Sequence, residues 1–182
     1  MLFLDKHENQ ENIRFDSFKF ALKEAFKRNL KVMVETGVAR GKKKFLFFSK
    51  VNFKDGMSTL IFSEYAKNVG GHLHACDISK ESIKNAKKFT SKFKNYVTFY
   101  ESDSIAFVKG FKKKVDFLYL DSLDSPEHQL YEIKNSIEIL HKNSLVLLDD
   151  KEQKAALSLE YMLDNEFVII NETQEQVLLS FQ

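Results

Sequence analysis

The sequence predicts an α/β protein with a Rossmann-like doubly wound sheet, mostly parallel, with helices on both faces and a C-terminal antiparallel hairpin. Short apolar runs typical of buried parallel strands alternate along the chain with segments of helical periodicity. Several runs end in a carboxylate, as at Glu35, Asp77 and Asp121. Carboxyl ends of parallel strands form the ligand crevice in this fold class. The last two runs, 167–170 and 177–181, are separated by a short polar link, which predicts the hairpin.

Length and composition indicate an ordinary globular protein. The 182 residues are enough to bury a sizeable core, and we predict a single domain over residues 1–182. The hydrophobic fraction of 43% and the charged fraction of 30% exclude wholesale disorder. The 28 basic and 26 acidic residues leave a net charge of +2, which is too close to balance to indicate a nucleic-acid partner.

Cysteine usage and hydropathy bear on the compartment. The single cysteine, Cys76, cannot form an internal disulfide, which is compatible with a reducing environment. The first residues form too short an apolar run for a signal peptide, and no apolar span of about 18 residues occurs. We therefore expect a cytoplasmic protein that has no membrane partner.

Residues 1–30 predict an N-terminal helical segment. Phe15, Phe18, Leu22 and Phe26 recur at helical spacing with charged residues between them, as in an amphipathic helix. Such a helix either helps to close a site beside the first strand or covers a sheet edge. The sequence assigns it no chemistry.

The main functional signal is a strand, glycine and helix unit in residues 32–59. Gly37 follows the first predicted strand, and Gly56 precedes a helix that starts at Ser58. Glycines let backbone approach a ligand closely, and free amides at a helix start favour negative or accepting groups. Asp77 ends the next strand 21 positions after Gly56 (77 − 56), near the spacing of about 20 at which a carboxylate binds ribose hydroxyls. The unit predicts a nucleoside-bearing ligand.

A basic and aromatic insertion at residues 40–54 separates the two glycines. It contains Arg40, Lys42, Lys43, Lys44, Phe45, Phe47, Phe48 and Lys50. This composition suits a single-stranded nucleic acid, an anionic substrate or a homodimer contact, and it equally suits a surface loop pinned by its phenylalanines. Its position beside the glycine turn makes it a candidate substrate lid.

The order of these motifs resembles that of class I S-adenosylmethionine-dependent methyltransferases. The matching segments are 35–37, 55–59, Asp77, Asp103, 119–121 and 148–150, and they span roughly residues 32–181. The resemblance implies S-adenosylmethionine as cofactor, with ribose hydroxyls on Asp77 and the adenine amino group on Asp103. Asp103 also suits a helix N-cap. The implied cofactor-binding residues are Glu35, Thr36, Gly37, Gly56, Ser58, Thr59, Asp77, Ile78, Ser102, Asp103 and Asp121.

Three carboxylates, Asp121, Asp149 and Asp150, lie at the ends of two strands that the fold places side by side. Mg²⁺ and Ca²⁺ prefer such oxygen ligands. The arrangement resembles metal-dependent O-methyltransferases of the catechol type, which implies that these three residues hold the metal ion. Without a metal, Asp121 binds the methionine amino group, and Asp149 and Asp150 cap the next helix.

His128, seven positions past Asp121, is predicted with Asp121 as a catalytic residue. It suits a general base or an added metal ligand, and the alternative is a surface histidine in the first turn of a helix.

Three functions follow. The first is S-adenosylmethionine-dependent O-methylation of a small-molecule or sugar-like acceptor, with or without a metal ion. The second is a non-catalytic or NAD-type nucleotide-binding domain, which the absence of a compact G-x-G-x-x-G after the first strand disfavours. The third is RNA methylation through the insertion, which the near-zero net charge disfavours. We expect a small-molecule partner rather than a nucleic acid.

Overall fold

The computed structural model describes residues 2–45, 48–51, 54 and 56–181. The strands in this part of the chain are β1 Val32–Thr36, β2 Lys42–Phe45, β3 Phe48–Val51, β4 His72–Asp77, β5 Val97–Glu101, β6 Phe117–Leu120, β7 Leu145–Leu148, β8 Phe167–Glu172 and β9 Val177–Phe181. The α-helices are α1 Leu2–Asp5, α2 Phe15–Lys27, α3 Ser58–Val69, α4 Lys80–Phe89, α5 Ser104–Gly110, α6 Pro126–Ser136 and α7 Ala156–Leu163.

Seven strands form one mixed sheet in the order β5-β4-β1-β6-β7-β9-β8. The first five of these pair in parallel, whereas β9 runs antiparallel to both β7 and β8. The predicted fold class and the C-terminal hairpin are therefore confirmed. Strand β9 lies inside the sheet and β8 forms the edge, with a bulge between Ile169 and Asn171.

Helices pack on both faces of the sheet and bury two apolar cores. Residues of α2, α3 and α4 share one core, and residues of α5, α6 and α7 share the other. The Phe62 ring lies 5.2 Å from Phe18, 5.4 Å from Phe117 and 5.3 Å from Tyr119 in edge-on contacts. Strands β6 and β7 are buried along their whole length, which explains their unbroken apolar sequences.

Two helices are shorter than their sequence patterns predict. The sequence of residues 152–163 predicts a helix. In the structure, α7 begins only at Ala156, because Asp150 is left-handed and its carbonyl accepts hydrogen bonds from the amides of Gln153 and Lys154 in a preceding turn. The sequence of residues 126–141 likewise predicts a helix. In the structure, α6 ends at Ser136 and the chain continues as a short 3₁₀ turn.

The insertion predicted as a loop contains the antiparallel hairpin β2–β3, in which Lys42 pairs with Val51 and Phe45 with Phe48. Residues 46, 47, 52, 53 and 55 lie outside the described residues, as do the side chains of the hairpin. Its roles as a substrate lid, homodimer contact or RNA contact therefore stay predictions.

Strand order reverses between β1 and β6, and the chain leaves these two strands on opposite sides of the sheet. This is the point at which ligands bind in doubly wound sheets. The ends of the strands are held together there, because the Gly37 amide donates to the Cys76 carbonyl at 2.8 Å and the Asp121 amide donates to the Thr36 carbonyl at 2.9 Å. In the described part of the chain, no helix is both long and apolar enough to cross a membrane.

Candidate active site

A cavity of about 640 Å³ opens at the carboxyl ends of the central strands, within the usual size range of small-ligand sites. It is lined by Arg14, Gly37, Val38, Ala39, Arg40, Cys76, Asp77, Ile78, Ser79, Ser82, Asp103, Ser104, Asp121, Ser122, Leu123, Asp124, His128 and Asp150. Seven of these were predicted from the sequence as site residues: Gly37, Asp77, Ile78, Asp103, Asp121, His128 and Asp150.

One end of the cavity combines an acidic side chain with an exposed apolar one. The Asp77 carboxylate accepts hydrogen bonds from the amides of Val38, at 3.1 Å, and Ser79, at 2.6 Å. An ionised carboxylate accepts about four hydrogen bonds, so Asp77 retains capacity for hydroxyl donors. The neighbouring Ile78 is 76% exposed. This end suits a sugar with an attached flat apolar ring.

Asp103 lies on the same side and caps a helix, as the sequence predicted. Its Oδ1 accepts from the Ala106 amide at 2.9 Å at the start of α5. Capping occupies one carboxylate oxygen and so leaves room for a ligand on the other. Ser102 does not line the cavity, and its carbonyl accepts from the Cys76 thiol at 3.3 Å.

Five predicted cofactor-binding residues lie one layer behind the cavity lining: Glu35, Thr36, Gly56, Ser58 and Thr59. The Ser58 hydroxyl donates to Glu35 at 2.5 Å, and the Thr59 hydroxyl accepts from the Ala39 amide at 2.8 Å. Burial raises the pKa of Glu35 to about 8, against the opposing effect of its hydrogen bonds. This layer supports the turn after β1, and a direct role in binding stays a prediction.

Two non-glycine residues near the cavity adopt the left-handed conformation. Met57, which precedes α3, has φ of 52°, and Asp150 has φ of 50°. Such backbone costs about 1 kcal/mol or more per residue and persists where surrounding contacts hold it. Met57 is buried, and the Asp150 carboxylate is bound on both of its oxygens.

The other end of the cavity holds the three predicted carboxylates. Asp121, Asp149 and Asp150 each offer an oxygen within 4.8 Å of the others. Asp121 and Asp150 line the cavity, whereas Asp149 is fully buried behind them. The structure thus brings these residues together as the sequence predicted, but only two of them face the ligand space.

Two cations that the sequence analysis missed neutralise this cluster. Arg14 donates from Nε and Nη2 to the two oxygens of Asp149, at 2.7 and 2.9 Å, and from Nη2 to Asp150 at 2.8 Å. Lys154 is 1% exposed, and its Nζ lies 3.1 Å from Asp121, 3.3 Å from Asp150 and 3.5 Å from Asp124. The position of Lys154, four residues after Asp150, could have indicated from the sequence that it pairs with the cluster. No feature of the sequence around Arg14 indicates its contact with Asp149.

The protonation of the cluster follows from burial and these contacts. Burial raises the pKa of Asp121 well above its ordinary value, the charge of Asp149 adds to the rise, and Lys154 opposes it. Burial acts in the same direction on Asp149, but the hydrogen bonds and charge of Arg14 outweigh it and lower the pKa of Asp149. Asp149 is therefore the anchored anion, and Asp121 is the more basic carboxylate.

The contacts of these residues disfavour a divalent metal ion. The remaining oxygen of Asp121 accepts from the Tyr119 hydroxyl at 3.1 Å, and Asp149 also accepts from the Gln176 amide. With the contacts of Arg14 and Lys154, all six carboxylate oxygens already have a hydrogen-bond or ion-pair partner. A metal ion on these oxygens would also lie beside two positive charges.

His128 belongs to a separate polar cluster. Its Nε2 lies 2.8 Å from the Ser104 hydroxyl and 3.9 Å from the buried Glu132, which accepts from the Ser122 hydroxyl at 2.8 Å. Burial raises the pKa of Glu132, and its second oxygen has no partner among the described residues. His128 is in the first turn of α6 and lines the cavity, but it does not belong to the group of residues that could share a metal ion.

Comparisons with known proteins place the chain in a family. A family profile described as a methyltransferase domain matches residues 53–151, which is more than half of the chain. No curated protein sequence matches the chain significantly.

Solved structures share the fold at low sequence identity. The SAH-bound methyltransferase PaMTH1 of Podospora anserina has a TM-score of 0.68 at 12% identity, covering 97% of this chain and 81% of that one. A putative caffeoyl-CoA O-methyltransferase from Staphylococcus aureus has a TM-score of 0.68 at 11% identity, with coverages of 99% and 96%. The O-methyltransferase TomG of Streptomyces achromogenes, in complex with SAM, has a TM-score of 0.66 at 12% identity, with coverages of 98% and 89%.

These findings confirm the resemblance to class I S-adenosylmethionine-dependent methyltransferases, which the O-methylation and RNA-methylation functions predicted from the sequence share. With the sheet order and the cavity at its switch point, they show that the chain belongs to the methyltransferase domain family and is an enzyme of the class I S-adenosylmethionine-dependent type.

Proposed function

We propose that the protein transfers a methyl group from S-adenosylmethionine to a hydroxyl group of a small-molecule or sugar-like acceptor. The observation that carries this proposal is that one cavity has an end that suits a nucleoside, at Asp77 and Asp103, and an end lined by carboxylates, at Asp121 and Asp150. TomG and PaMTH1, which share the fold, are methyltransferases described with SAM and SAH respectively.

Three side chains at the nucleoside end of the cavity have proposed roles in binding the cofactor. Asp77 has acceptor capacity for two ribose hydroxyls beyond its bonds to Val38 and Ser79. Ile78 offers an exposed apolar surface for the adenine ring, and Asp103 offers its second oxygen to the adenine amino group. Gly37 lets the turn after β1 pass the Asp121 carbonyl closely, where a Cβ atom would approach that oxygen to 1.9 Å.

The carboxylate end supplies proton acceptors for the acceptor hydroxyl. When bound, S-adenosylmethionine supplies an electrophilic methyl group on a sulfonium. The new carbon–oxygen bond forms as the sulfur–methyl bond breaks, and the hydroxyl proton must be removed. Asp121 suits this task, because its raised pKa makes it a better proton acceptor than an ordinary carboxylate. Metal assistance stays a prediction, and no step here requires it.

Calorimetric titration with S-adenosylhomocysteine tests the proposal, with NAD as the comparison ligand. We expect the wild type to bind S-adenosylhomocysteine, and we expect Asp77→Asn to weaken binding by roughly 10- to 100-fold, because a hydrogen bond to a charged group contributes about 1.5–3 kcal/mol. Glu101→Gln is the matched control, because Glu101 pairs with Asp77 across β4 and β5 but does not line the cavity. A wild type that binds NAD and not S-adenosylhomocysteine would refute the proposal.

A further inference from the structure

Two buried or half-buried cations hold the carboxylate end of the cavity together. Arg14 is the residue immediately before α2 and lies 135 positions before Asp149, whereas Lys154 follows β7 in the same turn as Asp150. Both contact Asp150, and each contacts one of the other two carboxylates. Two positive side chains from distant parts of the chain thus share three acidic groups.

These two cations compensate the repulsion between the three carboxylates, which is the electrostatic effect that a metal ion would have at the same position. Carboxylates this close together repel one another unless a cation lies between them. Here Arg14 binds Asp149 in the bidentate geometry that a planar guanidinium favours and donates one further hydrogen bond to Asp150. Lys154 bridges the loops after β6 and β7. All six oxygens have partners without a metal ion.

We propose that Arg14 and Lys154 take the place of a divalent metal ion at the acceptor end, so that the enzyme works without one. The inference rests on the proposed function, because it concerns the acceptor end of the same site. Lys154 does not line the cavity and acts through Asp121 and Asp150, which makes it a positioning residue. Arg14 lines the cavity and fastens the start of α2 to the loop after β7.

The test is a titration of the EDTA-dialysed protein with Mn²⁺, followed by the electron paramagnetic resonance of the free ion. We expect the wild type to show no stoichiometric Mn²⁺ site. Lys154→Met removes one cation and frees one oxygen of Asp121 and one of Asp150, so we expect it to bind Mn²⁺ at least tenfold more tightly and to gain thermal stability when Mn²⁺ is added. Lys151→Met is the control, because Lys151 pairs with Glu172 outside the cluster.

Arg14→Met provides the same test if Lys154→Met does not fold, because it frees oxygens of Asp149 and Asp150. One Mn²⁺ per chain bound by the wild type and lost in Asp150→Asn would overturn the inference, and so would folded variants that gain no Mn²⁺ affinity. S-adenosylhomocysteine is titrated into the same EDTA-dialysed samples. Failure of the wild type to bind S-adenosylhomocysteine would count against the proposed function. Mn²⁺ binding by a wild type that still binds S-adenosylhomocysteine would count only against the inference that Arg14 and Lys154 replace a metal ion.

Discussion

Replacement of Gly37 by alanine is the sharpest test of how the cavity is built. Gly37 has φ of +81°, and a Cβ atom there would lie 1.9 Å from the Asp121 carbonyl oxygen and 2.6 Å from its carbon. Real Cβ atoms essentially never approach closer than 3.0 Å, so the end of β6 must move by about 1 Å. Both obstacles are backbone atoms that cannot rotate away.

Two other glycines separate the contributions to this effect. Gly70 has φ of +64° with no atom within 4 Å of its added Cβ, so Gly70→Ala measures backbone strain alone. Gly110 has neither a positive φ nor a close neighbour, so Gly110→Ala serves as the unstrained reference. Left-handed alanine costs about 1–2 kcal/mol, and overpacking adds typically about 1–3 kcal/mol.

We therefore expect Gly37→Ala to lose about 2–5 kcal/mol of unfolding free energy, or roughly 5–15 °C in Tm for a chain of this size. Gly70→Ala should lose only about 1–2 kcal/mol. Urea denaturation measures the stabilities, and calorimetry measures S-adenosylhomocysteine affinity, which should fall at least about tenfold in Gly37→Ala alone because Asp121 is displaced. Equal stability losses in Gly37→Ala and Gly70→Ala would refute the close-approach argument.

Three further predictions concern stability. Burial raises the pKa of Glu35 from 4.5 to about 8, so the folded protein favours the neutral carboxyl group. The unfolding free energy should therefore fall as pH rises from 4.5 to 8, by up to about 1.4 kcal/mol per pH unit. Glu35→Gln should remove this slope in urea titrations at several pH values, and an unchanged slope would contradict the prediction. Burial, with the charges of His72 and Lys113, lowers the pKa of His74 from 6.5 to about 4, so stability should be lost as pH falls between these values. His74→Gln should flatten that acid limb, and the idea fails if the acid limb keeps its shape. Phe62→Ala should cost about 3–5 kcal/mol in the same assay, against under about 1 kcal/mol for Phe26→Ala, which is 56% exposed; similar losses would contradict the packing of Phe62.

Much of the fold was predictable because its signals are local. Strands β6 and β7 are uniformly apolar, and only strands covered on both faces tolerate such sequences. The bounds of α3 and β9 agree with their sequence patterns, whereas α7 starts later than its pattern because Asp150 is left-handed. Backbone strain of this kind depends on tertiary contacts and leaves no periodic signal.

The site divides in the same way. The sequence by itself determined that Asp77, Asp103, Asp121 and Asp150 gather at one edge of the sheet, because each lies at or near the end of a strand and parallel strands end at the same edge. Only the tertiary structure decided that Asp149 is buried under Arg14. It also decided that His128 contacts Ser104 instead of the cluster of Asp121, Asp149 and Asp150. Hydrophobic periodicity indicates which side of a helix or strand is buried. It carries no information about the partner of buried Asp149, because Arg14 lies 135 positions away and reaches Asp149 only through the packing of α2.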